Sequence, residues 1–196
     1  MISIVERTSG LVLKKTPHSQ TSHIVTWLTP DHGRVTTIAK GACRPKSPFL
    51  GQYDIGYTCE LLFYARETNG IHVAGDCFPM DARSLLRLNW RASACTLYLC
   101  ELLARITVPG TNQAGIFSLA VSSLDFLCTN TPGVSFLFWF ELHLADLLGF
   151  SPVLDNCVAC RRPSSGNSAP VQGDADRLWT FSATRGGLVC PLCARD

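Results

Sequence analysis

His23-Ile-Val-Thr-Trp-Leu-Thr29, Pro30-Asp-His-Gly33 and Arg34-Val-Thr-Thr-Ile-Ala-Lys40 read in that order as a strand, a turn and a second strand. β-Branched and aromatic residues fill both runs, and proline and glycine punctuate the gap between them. Upstream, Gly10-Leu-Val-Leu-Lys14 reads as another strand. Downstream, past a loop containing Pro45 and Pro48, Tyr57, Cys59, Leu61 and Phe63 alternate with Thr58 and Glu60, the period of a half-buried strand. Ile71 to Ala74, after Asn69-Gly70, makes a fifth. Five short strands with no helix between them predict a small β-barrel over residues 1–79, for which the OB-fold is one candidate.

Near Asp81 the period changes. Leu85, Leu88, Ala92, Cys95, Leu99, Leu102 and Ile106 recur at three- and four-residue steps, which predicts one long helix with these residues on its core stripe. Arg83, Arg87 and Arg91 fall on another face at i, i+4 spacing. A solvated face is the plain reading of them; contact with nucleic acid or an acidic peptide is the sharper one, since an unpaired arginine ladder suits anions. Pro109-Gly110 ends that helix, a second is expected over 114–128, and a third runs from about Val134 to Leu148, with Gly149 as stop signal and Pro152 beyond. Its run Phe136-Leu-Phe-Trp-Phe140 is apolar nearly all round, so these aromatics are expected in the core. Residues 163–176 predict a loop, Leu178-Trp-Thr-Phe181 a strand, and Gly186-Gly187 a turn into Leu188-Val-Cys190. The expected class is α+β: a barrel at 1–79, then a helical domain at 80–196 with a cysteine module embedded at about 153–196.

The 196 residues are 46% hydrophobic and 16% charged, a folded rather than a disordered composition. A net charge of only +2 argues against bulk coating with nucleic acid, but the charge is uneven. Between Asp31 and Asp54 stand Arg34, Lys40, Arg44 and Lys46 and no acidic residue. Long cationic side chains at a strand end and loop suit phosphates, and a merely solvated loop has the same sequence. Trp27, Tyr53, Tyr57 and Tyr64 have rings that stack on bases, yet aromatics in strands are more often core. The N-terminus lacks the basic flank, apolar run and small-residue cleavage site of a secretory signal. The longest uncharged stretch, 106–124, is interrupted by Pro109, Gly110, Asn112 and Gln113, where a membrane span needs about 20 apolar residues. A cytoplasmic protein without a membrane partner is expected.

Ten cysteines are many for this length, and in a reducing compartment clustered ones more often bind metal than pair. Cys157-Val-Ala-Cys160 and Cys190-Pro-Leu-Cys193 offer four thiolates in two tight turns. That set suits one Zn²⁺ with bonds of about 2.3 Å and no position left for catalytic water, hence a structural ion. The stretch 161–189 between the pairs exceeds the usual ribbon gap of about 15–20 residues, and the loop at 163–176 accounts for the excess. Two redox dithiols are the alternative. Cys43, Cys59, Cys77, Cys95, Cys100 and Cys128 read as small buried hydrophobes. His18, His23, His32, His72 and His143 form no metal triad and flank no nucleophile motif; there is no phosphate-binding glycine loop, and Glu141 and Asp146 are badly spaced for an acid pair. Neither catalysis nor a small-molecule substrate is expected.

Two stretches resemble a known family. Leu28-Thr29-Pro-Asp-His-Gly33-Arg34-Val-Thr-Thr-Ile-Ala39-Lys40-Gly41-Ala42-Cys-Arg44-Pro-Lys46-Ser47 is similar to the N-terminal signature of the RecO recombination mediators. So is Phe140-Glu141-Leu142-His-Leu144-Ala-Asp-Leu-Leu148-Gly149-Phe150-Ser-Pro152, leading into Cys157 and Cys160. The resemblance covers essentially the whole chain and implies an N-terminal OB-fold, a helical domain and a zinc module. It implies binding of single- and double-stranded DNA, annealing of complementary strands, and, with RecR, loading of RecA onto DNA coated by single-strand-binding protein, whose acidic C-terminal tail is also bound. It further implies no enzymatic turnover and a cytoplasmic, nucleoid-associated location. Arg34, Lys40, Arg44 and Lys46 fall on the family's basic segment, and Cys157, Cys160, Cys190 and Cys193 on its zinc ligands. The chain departs from the pattern at Gln20 and Ser22, where the family often carries an acidic pair, and at His143, where an arginine is frequent; family members also usually continue into further helix, where this chain ends at Asp196. Two rivals stand beside this reading: an adaptor holding an acidic hydrophobic tail on the Arg83/Arg87/Arg91 face or the aromatic helix, and a dithiol oxidoreductase using Cys157/Cys160.

Overall fold

The hairpin forms as read: β2 (His23–Thr29) and β3 (Gly33–Ala39) pair antiparallel from Thr29↔Gly33 to His23↔Ala39. Gly33 makes the reversal at a φ of 65°, a region that glycine enters without steric cost. Thr29 Oγ1 ties the turn, donating to the Gly33 carbonyl at 3.0 Å and accepting the His32 N–H at 3.1 Å. Along β3, Val35, Thr37 and Ala39 are buried while Arg34, Thr36 and Ile38 are half-buried, the two-residue alternation of a sheet with one core face. In this computed structural model residues 4–66, 70–164 and 179–195 are described.

β1 (Val5–Pro17) closes the barrel. Its first half pairs with β4 (Thr58–Tyr64) and its second half with β2, and a register shift between Val12 and Lys14 bends it from one partner to the other. β5 (His72–Asp81) pairs antiparallel with β4 and parallel with β3, so the strands close in the order β1-β2-β3-β5-β4. Closure removes the exposed edges of a five-stranded sheet. The sequence reading located all five strands but made β1 and β5 too short, because the irregularities in both ladders interrupt the alternation that marks a strand.

Trp27 is fully buried inside the barrel, where its Nε1 donates to Thr37 Oγ1 at 2.9 Å. A Cβ at Gly10 would stand 3.0 Å from the indole, so the bare backbone of β1 is what admits the ring. Removing an aromatic side chain of this size from water is worth about 4–6 kcal/mol before ordering costs. The connection from β3 to β4 folds back and adds Ala42, Phe49 and Tyr53 to the same core.

A 3-10 turn (Ser84–Leu88) precedes α1 (Trp90–Ile106), α2 (Ala114–Thr129) and α3 (Val134–Leu147). The single long helix expected from Leu85 onward is broken at Asn89, whose side chain accepts the N–H groups of Arg91 at 3.0 Å and Ala92 at 3.4 Å. Asparagine is among the strongest N-caps, so the helix starts there and its phase is reset. α1 therefore buries Ala92, Thr96, Leu99, Cys100 and Leu103, while Leu85 and Leu88, assigned to the core in sequence, are 49% and 81% exposed. α1 packs along β1, and Cys100 Sγ donates to the Val12 carbonyl at 3.8 Å. In α3, Phe136 and Phe140 are buried but Phe138 is 61% exposed, so the expectation of an all-core aromatic run holds only for the pair one turn apart.

The chain divides into two compact units, residues 1–137 and 138–196. The second contains the short hairpin of β6 (Thr180–Ser182) and β7 (Gly187–Val189). The loop expected at 163–176 falls from residue 165 onward outside the described residues, as does Leu178. Among the described residues no helix is long and apolar enough to cross a membrane.

The arginine ladder does not exist. Arg83 lies before the helix at a left-handed φ of 41°, with its guanidinium buried. Its Nε donates to Asp125 of α2 at 2.7 Å, and its Nη1 donates to the Gly56 carbonyl at 3.0 Å and to Thr58 Oγ1 at 2.8 Å. One side chain thus joins the barrel to α2. Arg83→Leu strands a buried carbonyl and hydroxyl and is expected to cost about 3 kcal/mol in urea unfolding, and Asp125→Ala, which leaves the buried guanidinium charge facing, among the described carboxylates, only Asp81 at 3.9 Å, should cost at least as much. Equal losses below about 1 kcal/mol would show the clasp to be dispensable.

Candidate metal centre and cationic face

Two turns bring four sulfurs together. In the first, the Arg161 N–H reaches the Cys157 carbonyl at 2.8 Å, with Arg161 itself left-handed at φ 61°. In the second, the N–H groups of Cys193 and Ala194 both reach the Cys190 carbonyl at 3.0 Å. The β6–β7 hairpin aligns the turns: Val158 N–H donates to Leu188, and Leu188 N–H to Val153, each at 2.9 Å. The Sγ atoms of Cys157, Cys160, Cys190 and Cys193 then lie within 4.8 Å of one another.

Their chemistry fits a cation. Cys160 and Cys190 stand 3.6 Å apart, sulfur to sulfur. That is far beyond a disulfide bond of about 2.05 Å and close to the roughly 3.8 Å edge of a tetrahedron built on 2.3 Å metal–thiolate bonds. Backbone N–H groups of Cys160 and Cys190 bring the Cys157 thiol down to about 6, while the sulfurs of Cys190 and Cys160 push Cys193 up to about 12. Four thiols this close cannot all ionise unless a positive charge sits among them. Cys157 and Cys190 are buried, Cys193 is half-buried and Cys160 is exposed. Four cysteine ligands would leave no coordination position open, so an ion held there would be structural. Cys190→Ser should release one metal equivalent per chain in elemental analysis and abolish slow amide exchange across 153–164 and 179–195; retention of both would refute the ligand set.

The four basic positions do not stay together. Lys40, Arg44 and Lys46 are exposed on the connection after β3. That connection is shaped by the Arg44 N–H donating to Gly41 at 3.0 Å and moored to the β1–β2 loop by the Cys43 N–H donating to Thr21 at 3.0 Å. Arg34 lies at the opposite end of β3, about 20 Å away along the strand. Its Nη1 donates to the Ala104 carbonyl in the last turn of α1 at 2.7 Å, and its N–H to the Val108 carbonyl at 3.0 Å. A cation there satisfies a helix C-terminus, so Arg34 is a fastener of α1. Arg87 reaches Asp54 at 3.0 Å and Tyr57 Oη at 3.1 Å, and Arg91 lies 5.4 Å from the centre of the Trp90 ring. Trp27 and Tyr53 are core, as read, while Tyr64 is 40% exposed.

One constellation was missed in sequence. Cys43 is exposed rather than buried, and its Sγ lies 3.4 Å from His23 Nε2. Only the register of β2 on β3, which puts His23 beside Ala39, brings the two together, and no local motif announces it.

Among the described residues, a closed barrel, three helices and a four-thiol cluster define a barrel-plus-helix protein with a cysteine module able to hold a metal ion. Residues 1–77 match the family model for Recombination protein O N terminal and residues 87–195 that for Recombination protein O C terminal. The chain belongs to the RecO family. It is 29% identical over 191 residues to the DNA repair protein RecO of Rhodopirellula baltica, covering 94% of this chain and 65% of that protein. It is also 29% identical over 189 residues to the protein of that name from Alkaliphilus metalliredigens (95% and 71% covered) and 29% over 190 residues to that of Roseiflexus sp. (97% and 62%). The chain thus spans about two thirds of the length of these relatives.

Proposed function

We propose that this protein is a DNA-binding recombination mediator that anneals complementary single strands and, with RecR, helps load RecA onto DNA coated by single-strand-binding protein. The observation that carries the reading is the exposure of Lys40, Arg44 and Lys46 on one connection of a closed five-stranded barrel in a member of the RecO family. Neutralising phosphate on two strands lowers their repulsion and releases counterions, so that bases can pair with no covalent step. On this reading residues 1–79 act as an OB-fold for single- and double-stranded DNA and residues 80–196 serve protein partners. The work would be done in the cytoplasm, at the nucleoid. The metal is zinc: bound by Cys157, Cys160, Cys190 and Cys193, it supplies the charge that lets four thiolates coexist, and no reaction step.

The acidic C-terminal tail of single-strand-binding protein is a second partner. Leu88 and Trp90, 81% and 75% exposed, lie beside Arg87 and Arg91, apolar and cationic groups matched to such a tail. The dithiol-oxidoreductase alternative loses ground, because Cys157 and Cys160 belong to one four-thiol set with Cys190 and Cys193.

Lys40→Ala with Arg44→Ala should weaken single-strand binding and lower the slope of log affinity against log salt by roughly one unit per charge removed. Arg34→Ala should leave that slope alone. A slope unchanged in the double variant would overturn the assignment. Fluorescence annealing of short complementary strands, with and without single-strand-binding protein, checks the mediator role, and no acceleration in either condition would reject it.

A further inference from the structure

Cys43 is the one exposed thiol outside the four-sulfur centre. Its Sγ is 3.4 Å from Nε2 of His23, and on the far side of that imidazole Nδ1 is 2.9 Å from the Tyr53 hydroxyl. Tyr53 is held in turn: its ring is edge-on to His23 and Trp27 at 6.0 Å each and to Phe49 at 6.4 Å. Burial raises the pKa of Tyr53, and burial together with nearby Lys15 lowers that of His23, so phenol and imidazole are both neutral near pH 7. The phenol O–H is then the donor to Nδ1, which leaves the ring proton on Nε2, directed at the Cys43 sulfur. An exposed sulfur with an N–H donor aimed at it, and a third group fixing that imidazole, are the parts of a positioned nucleophile whose thiolate form the donor can hold. The other cysteines lack them: Cys59, Cys77 and Cys100 are buried, and Cys95 and Cys128 are half-buried.

We propose that Cys43 is a thiol–disulfide exchange site for small carboxylate-bearing disulfides, with His23 as the group that positions its sulfur. Lys40 and Arg44, its near neighbours in the chain, attract the carboxylates. Cys43, having released its proton to water, attacks one sulfur of the incoming disulfide. A new S–S bond forms to Cys43, the old one breaks, and the other half departs as a thiolate carrying the bonding electrons. The disulfide is itself the oxidant. The adduct sets negative charge beside Lys40 and Arg44 and so competes with phosphate. That consequence rests on the DNA-binding reading above; the exchange chemistry does not.

The test treats the whole metal-loaded chain with oxidised glutathione at neutral pH and maps the adduct by mass spectrometry. Cys43 should be modified first, and His23→Gln and Tyr53→Phe, confirmed folded by circular dichroism, should slow its reaction about three- to tenfold, the worth of one hydrogen bond. Added salt should slow glutathione but not the neutral 2-hydroxyethyl disulfide. First modification elsewhere, or a rate unchanged in both folded variants, would overturn the site; a salt response shared by both reagents would overturn the preference for carboxylates. Titration of the adduct with a single-stranded oligonucleotide should show weaker binding than the unmodified chain, and equal binding would overturn the competition. An unmodified chain that binds no strand counts against the DNA reading and leaves the exchange result standing.

Discussion

The bend of β1 between Val12 and Lys14 is the constraint on which the rest of the molecule depends. A straight strand would pair along one partner on each side and leave an open sheet; the bulge lets one strand hydrogen-bond β4 with its first half and β2 with its second. Closure then fixes the register of every other strand. It sets His23 beside Ala39 at one end of the β2–β3 ladder and Leu28 beside Arg34 at the other. The first end gathers the β1–β2 loop and the connection bearing Lys40, Arg44 and Lys46. The second offers Arg34 to the C-terminus of α1.

Charge is sorted by what lies opposite it, and identical residues meet opposite fates. Arg34 and Arg83 each find carbonyl oxygens across the fold and become part of its framework. Arg83 is the costlier arrangement, a buried guanidinium at a left-handed backbone position, and it is tolerated because three acceptors from three places converge on it. Lys40, Arg44 and Lys46 stand on a connection held mainly by backbone hydrogen bonds, with Ser22 and Ser47 side chains accepting from the Gly41 and Phe49 N–H groups. Their side chains are therefore presented to solvent on a fixed loop, the condition for meeting a phosphate without first ordering the protein.

How much of this was legible follows from how local each cause is. The β2–Gly33–β3 hairpin, the starts of α2 and α3 and the two cysteine turns are written in contiguous residues, and all were read correctly in kind. The long helix from Leu85 was not. One asparagine at position 89 satisfied two free N–H groups and shifted the phase, so a stripe counted through it assigned Leu85 and Leu88 to a core they do not enter. The division of the basic segment into a structural Arg34 and three exposed cations depends on which end of a strand meets α1, and no sequence spacing carries that.

Cysteine shows the same logic with a single side chain. In Cys157, Cys160, Cys190 and Cys193, tight turns aim four sulfurs at one point, an arrangement suited to hold a cation. In Cys59, Cys77 and Cys100, burial leaves a small apolar group; for Cys100 it pushes the thiol up to about 12, beyond reach of exchange chemistry near neutrality. Cys43 is exposed, as Cys160 is, but it stands outside the four-sulfur set and beside a pinned imidazole. Its sulfur has room to meet a partner and a donor to hold it, and barrel closure, not the thiol itself, put that donor there.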